Sequence, residues 1–195
     1  YESDKYAGKI ALLSDCNTML APALKLLGYS INSKDPKENE EAAQLIIDHK
    51  KNIKTFAEDN GQDLLAAGEV DLTMEYNGDI AQLMTEDPDV GFVIPNEGGV
   101  IWEDTLCIPT GAPHPNNAHK FINFIYEPEI NAQIAEYIQY ATPNKAAYEL
   151  MPAEYRDNPA IYPPEDVLER SESANYLGED TYKMREELCT KINAA

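Results

Sequence analysis

The sequence predicts an α/β fold. Short apolar runs alternate with amphipathic stretches at helical spacing, from Lys9-Ile10-Ala11-Leu12-Leu13 onward. Strand-like runs lead directly into helix-start signals, as at Ser14-Asp15 and Tyr76-Asn77-Gly78-Asp79. Hydrophobic residues make up 43% and charged residues 26%, which is globular composition. A length of 195 residues suits one large domain or two small ones. There is no internal repeat and no low-complexity tract.

Lys9 to Leu13 reads as the first strand. Asp15 or Asn17 caps the helix that follows, which puts Leu20, Leu24 and Leu27 on one face before Gly28 stops it. Pro22 lacks an N–H donor and implies a late start or a kink. Asp35-Pro36 is an N-cap followed by proline at the first helical position. Its helix is expected to run to about Lys51, with Ala42, Leu45, Ile46 and His49 near the buried stripe. A short helix through Leu64 to Ala67 ends at Gly68. Val70 to Tyr76 alternates like a strand, Gly78 to Thr85 returns to helix, and Gly91 to Ile94 to strand. Val100 to Ile108 forms a long extended segment, followed by a turn-rich loop. Asn117 opens a helix with Phe121, Ile122 and Ile125, and Pro128 another with Ile130, Ile134 and Ile138 four apart. From Met151 the chain reads as irregular structure, then a last helix from about Glu179 to Ile192.

The net charge of −20 bears on partners. Such a surface repels phosphate backbones and anionic lipid, so nucleic acid is not a partner. It attracts cations, although acidity alone also serves solubility. No run approaches the ~18 apolar residues of a membrane span, and Tyr1 is not an initiator. The three cysteines, Cys16, Cys107 and Cys189, form no CxxC pair and are too few for a disulfide framework. Cys107, in the run Thr105-Leu106-Cys107-Ile108, is expected to be a buried inert thiol. His49, His114 and His119 have no metal-ligand spacing.

Two places carry candidate chemistry. Asp15 follows a strand and precedes a helix, where ligands gather in open α/β sheets, though on local grounds alone a helix cap is the better explanation. Tyr76, at the other strand-to-helix junction, fits either a core aromatic or an exposed aromatic wall. The segment Glu97-Gly98-Gly99-Val100-Ile101-Trp102-Glu103-Asp104 holds the only tryptophan. Its paired glycines permit a tight turn or a close backbone approach. In a strand, Trp102 and Asp104 face the same way, and a ring face beside a carboxylate suits an ammonium ligand. A core tryptophan with a loop aspartate fits as well. Paired carboxylates also serve glycoside hydrolysis, but no motif fixes a nucleophile, a general acid or a metal.

Several segments together resemble a known family. They are Lys9 to Asp15, Leu26-Leu27-Gly28-Tyr29-Ser30, Gly68-Glu69-Val70-Asp71-Leu72, Tyr76-Asn77-Gly78, Glu97 to Asp104, Phe121-Ile122-Asn123-Phe124 and Tyr140-Ala141-Thr142-Pro143-Asn144. In this order they are similar to the later part of spermidine/putrescine-binding proteins, the PotD-type periplasmic receptors of ABC importers. The resemblance implies a periplasmic-binding-protein-like (type II) fold of two α/β lobes with the ligand clamped between them, the N-terminal portion missing. By it, residues 1–103 are the first part of the second lobe, 104–149 cross into an incomplete first lobe, and 150–195 return to the second.

Carried over by position, Asp15 matches an acid that pairs with a ligand ammonium. Tyr76 matches an aromatic, usually tryptophan, on the polyamine chain. Trp102 and Asp104 match a stacking tryptophan and a salt-bridging aspartate. Thr18 stands where a spermidine-binding member can have glutamate, and Ala174 near a position where glutamine can contact ligand. The implied function is a receptor on the periplasmic or extracellular face of the membrane. It delivers polyamines to the permease subunits and is not an enzyme. No catalytic residue, cofactor or metal is implied, and putrescine and spermidine stay equally open. A receptor for another small cationic metabolite and a hydrolase using paired carboxylates are the alternatives. A chain lacking half the clamp is expected to pair with a second copy, because the apolar faces at Phe121, Ile122, Ile125, Ile130, Ile134 and Ile138 lose their cover.

Overall fold

The computed structural model describes residues 3–195. In chain order the first elements are β1 (Ile10–Leu13), α1 (Cys16–Leu26), α2 (Pro36–Asp48), β2 (Ile53–Ala57), α3 (Gly61–Ala66) and β3 (Leu72–Thr73). Then come α4 (Asn77–Glu86), β4 (Val100–Ile101), α5 (Pro115–Ile125), α6 (Pro128–Ile138), α7 (Lys145–Leu150) and α8 (Ala153–Arg156). The chain closes with α9 (Glu165–Arg170), β5 (Glu172–Ser173) and α10 (Glu179–Ala194). These elements form two compact units. One comprises Tyr1–Tyr76, Val93–Trp102 and Glu165–Ala195, the other Asn77–Phe92 and Glu103–Pro164.

The first unit is built on a parallel sheet in the order β2-β1-β3. Parallel neighbours need crossover connections, and α1, α2 and α3 supply them. β1 is the central strand, and Ala11, Leu12 and Leu13 are buried. Helices α1, α2 and α10 share one core of Met19, Leu20 and Leu24 with Ala42, Ile46, Leu188 and Ile192. Asp15 caps α1 and Asp35 caps α2, each through its side chain. Gly28, at φ 79°, ends α1 with Tyr29 N–H bonded to the Leu24 carbonyl and Gly28 N–H to that of Lys25. Pro22 lies well inside α1, which starts at Cys16, so the late start does not occur. α2 stops at Asp48, short of Lys51.

A second, parallel pair joins β4 to β5. Its approach explains the paired glycines. Gly98 has φ 97°, and a Cβ there would lie 2.0 Å from the Arg170 carbonyl oxygen. The N–H of Gly99 donates to Ser171 Oγ at 2.9 Å.

The second unit packs Ala81 of α4, Ala132 and Ala135 of α6, Ala147, Met151, Tyr155 and Ile161 into one cluster. The Tyr155 hydroxyl donates to the Ala135 carbonyl at 2.8 Å and also contacts that of Tyr140. Burial pushes its pKa well up, so it stays a donor. Helix α5 has no buried residue, and Phe121 and Phe124 are 60% and 50% exposed.

Some expectations need correcting. β2 was absent from the expected elements: Ile53–Ala57 is short, and only its pairing beside β1 distinguishes it. Of Val70 to Tyr76 only Leu72–Thr73 is strand, of Val100 to Ile108 only Val100–Ile101, and Gly91 to Ile94 is not strand. A ladder requires a partner, and β1 and β5 offer register for two residues each at these places. Cys107 is exposed rather than buried, in a segment that no strand covers among the described residues. Cys16 and Cys189 form a disulfide, with Cα atoms 5.8 Å apart. Their separation of 173 residues hides the pairing from the sequence, and the packing of α10 on α1 creates it. Closing so long a loop stabilises the fold by something on the order of 2–5 kcal/mol.

Gly98→Ala is expected to destabilise the chain by about 2 kcal/mol or more, because left-handed backbone and a carbonyl clash combine. Urea denaturation within ~0.5 kcal/mol of the parent would show that the backbone there relaxes freely.

Candidate ligand-binding site

In an open parallel sheet the crevice lies beyond the carboxyl ends of the strands, where the strand order reverses. The order β2-β1-β3 puts that reversal between β1 and β3. Asp15 follows β1 by two residues and Tyr76 follows β3 by three, so both emerge at this end. The two junctions singled out in the sequence are thus neighbours in topology.

Asp15 is exposed and doubly used. Its Oδ1 accepts the Thr18 N–H at 2.9 Å and the Thr18 hydroxyl at 2.8 Å. Asp15 is therefore the N-cap of α1, and its Oδ2 has no hydrogen-bond donor among the described residues. Asp15, Asn17 and Thr18 form one wall of a pocket of about 220 Å³. Asn32, Ala174 and Asn175 also line it, with Tyr182 and Arg185 of α10. Asn32 fixes the far wall: its Nδ2 donates to the Ser173 carbonyl at 2.9 Å and its Oδ1 accepts the Asn175 N–H at 2.8 Å.

Arg185 is the residue that sequence reasoning missed. It is 2% exposed. Its Nε donates to Asn39 Oδ1 at 2.9 Å and its Nη1 to Asn17 Oδ1 at 3.0 Å. Its Nη2 donates to the carbonyls of Ile31 and Ser33 at 2.8 and 3.1 Å. Burial lowers its pKa, while Tyr182 and Asp15 oppose that shift. A signal existed: Thr181, Leu188 and Ile192 share the buried stripe of α10 with Arg185. An arginine on such a stripe is almost never buried unless paired.

Tyr76 and Trp102 meet edge to face, with centroids 5.6 Å apart and planes at 79°. Trp102 is 41% exposed, so part of its ring stays open. Val100, two residues before it, lines the Asp15 pocket. Asp104 is exposed and belongs to the second unit. It lies outside β4, so the strand alternation that was to align it with Trp102 does not operate.

The pocket is braced by Glu172 of β5. Its carboxylate bonds the Lys25 ammonium at 3.0 Å and contacts the Ser30 hydroxyl. Partial burial pushes its pKa up, but Ser30 and Lys25 outweigh this and hold it below the usual value.

The family model for bacterial extracellular solute-binding proteins matches residues 1–163. The chain belongs to this family. Among relatives, the spermidine/putrescine-binding periplasmic protein of Escherichia coli (strain K12) is 36% identical over 174 residues, 89% of this chain and 50% of that protein. Its namesake in Salmonella typhimurium is 34% identical over 190 residues, 97% of this chain and 54% of that one. The solved substrate-binding protein PotD of a spermidine/putrescine ABC transporter from Streptococcus pneumoniae superimposes with a TM-score of 0.84 at 28% identity, covering 98% of this chain and 59% of its own. The fold is therefore periplasmic-binding-protein-like. The chain spans about half the length of the curated relatives it matches.

A carboxyl whose folded pKa is depressed contributes stability above its unfolded value of 4.5 and loses it as the pH falls. Glu172→Gln is expected to cost ~1 kcal/mol at neutral pH, with the gap to the parent narrowing below pH 4.5. A gap that stays constant in acid, measured by urea denaturation, would remove the Lys25–Glu172 brace from the account.

Proposed function

We propose that the complete protein is the substrate-binding receptor of an ABC importer for polyamines, working on the outer side of the cytoplasmic membrane. The observation that carries this reading is the exposed Asp15 carboxylate at the carboxyl end of a parallel sheet, in the same unit as a partly open Trp102 ring. A carboxylate holds an amine by a charge-assisted hydrogen bond, and an aromatic face holds methylenes and ammonium groups. The names of the relatives point to the same ligands. The net charge of −20 draws cations in, and the Cys16–Cys189 disulfide suits an oxidising compartment. Among the described residues no helix is long and apolar enough to cross a membrane. The ligand leaves unchanged for the permease, so the protein binds and does not catalyse.

In this reading Asp104 is a second carboxylate for the ligand, and Thr18 adds no charge of its own. The unit that holds α5 and α6 is the part of the first lobe present here. Its exposed Phe121 and Phe124 fit a surface that further chain or a second copy covers.

Asp15→Asn tests the site cleanly, because asparagine caps a helix as well as aspartate. In the full-length receptor it is expected to leave stability within ~0.5 kcal/mol and to weaken putrescine and spermidine binding by about 2 kcal/mol or more. Asp104→Asn is expected to weaken binding by a similar ~2 kcal/mol. Unchanged affinity by calorimetry would take the substituted residue out of the site. For the 195-residue chain alone, light scattering is expected to show a dimer, and a titration little polyamine binding. A compact monomer binding spermidine at micromolar concentration would contradict both.

A further inference from the structure

Arg185 is a buried charge that ligand recognition by Asp15 and Trp102 does not use. Its four hydrogen bonds go to neutral oxygens, those of Asn39, Asn17, Ile31 and Ser33. Desolvating a guanidinium is costly, and an apolar side chain of similar volume often serves stability as well or better. Its neighbours on the α10 stripe, Leu188 and Ile192, belong to the apolar core. Holding α10 in place therefore does not by itself call for a charge here.

What the guanidinium provides is geometry. Nη1 reaches Asn17 in the first turn of α1, two residues after Asp15. Nη2 grips the carbonyls of Ile31 and Ser33, the residues on either side of Asn32. Asn32 in turn holds Ser173 and Asn175 through both ends of its amide. One planar group thus ties the Asp15 wall of the pocket to the wall of Asn32, Ala174 and Asn175. Its nitrogens stand at fixed angles, so it sets the span between the two walls. Nε anchors the fork to Asn39 of α2, outside the pocket lining.

A ligand nitrogen held by Asp15 Oδ2 enters between these walls. It gains the full bond only where the facing wall already stands at the distance that fits the same end group. We infer that Arg185 is the positioning residue of this pocket. Without itself meeting the ligand, it makes the contribution of Asp15 to binding depend on a fork that holds both walls. This inference rests on the polyamine-receptor reading and adds the residue that sets its geometry.

The test is a double-mutant cycle on putrescine affinity, measured by calorimetry on the full-length receptor. Arg185→Lys keeps the positive charge, but one ammonium cannot reach Asn39, Asn17 and both carbonyls at once. In the parent protein Asp15→Asn is expected to weaken putrescine binding ~30-fold. In the Arg185→Lys background the same change is expected to cost about fivefold or less. Leu188→Ala damages the α10 core without touching either wall, and is expected to leave the effect of Asp15→Asn intact. A folded Arg185→Lys protein in which Asp15→Asn costs as much as in the parent overturns the inference. So does a Leu188→Ala background that lowers the cost as far as Arg185→Lys does. Should Arg185→Lys not fold, Asn39→Ala takes its place under the same two outcomes, because it cuts the anchor of the fork on α2. Either of these results leaves the receptor reading standing. If Asp15→Asn has no effect in the parent protein, Asp15 leaves the site, and the reading and this inference fall together.

Discussion

Parallel pairing of β1 with both β2 and β3 is the constraint on which the rest depends. A parallel neighbour cannot be reached by a tight turn, so each connection must climb back over the sheet as helix. With β1 in the centre, the chain goes first to one side and then to the other, and the strand order reverses beside β1. The reversal opens a crevice at one end of the sheet and delivers the residues after β1 and β3 to its mouth. Asp15 and Tyr76 owe their positions to this topology rather than to any contact between them.

Asp15 then performs two tasks with one side chain. Its Oδ1 closes the first turn of α1 through Thr18, and this fixes where Oδ2 points. Around it, Arg185 gathers α1, the loop at Ile31 to Ser33 and α2 onto α10, while the Cys16–Cys189 disulfide joins α1 and α10 covalently. One wall of the pocket is therefore tied to α1, α2 and α10 at once.

Much of this was legible in the sequence, for local reasons. The Asp35-Pro36 start, the Gly28 stop and the last helix depend on neighbours along the chain, and they appear where the residues place them. Asp15 was legible as a helix cap because a strand end followed by a helix start is a local pattern. What escaped depends on distant partners. β2 and the brevity of β3 and β4 are decided by who pairs with whom. Cys16 finds Cys189, and Arg185 finds Asn17 and Asn39, only after α10 has packed on α1 and α2. Cys107 in an apolar run is exposed for the converse reason: its segment gains no cover among the described residues.

The central claim is that the carboxylate of Asp15 meets the end group of a polyamine. A crystal structure of the full-length receptor grown with a polyamine tests it directly. The account requires a ligand nitrogen within ~3 Å of Asp15 Oδ2, with Oδ1 still bonded to Thr18. A bound polyamine whose nitrogens all lie beyond hydrogen-bond reach of Asp15 would contradict it.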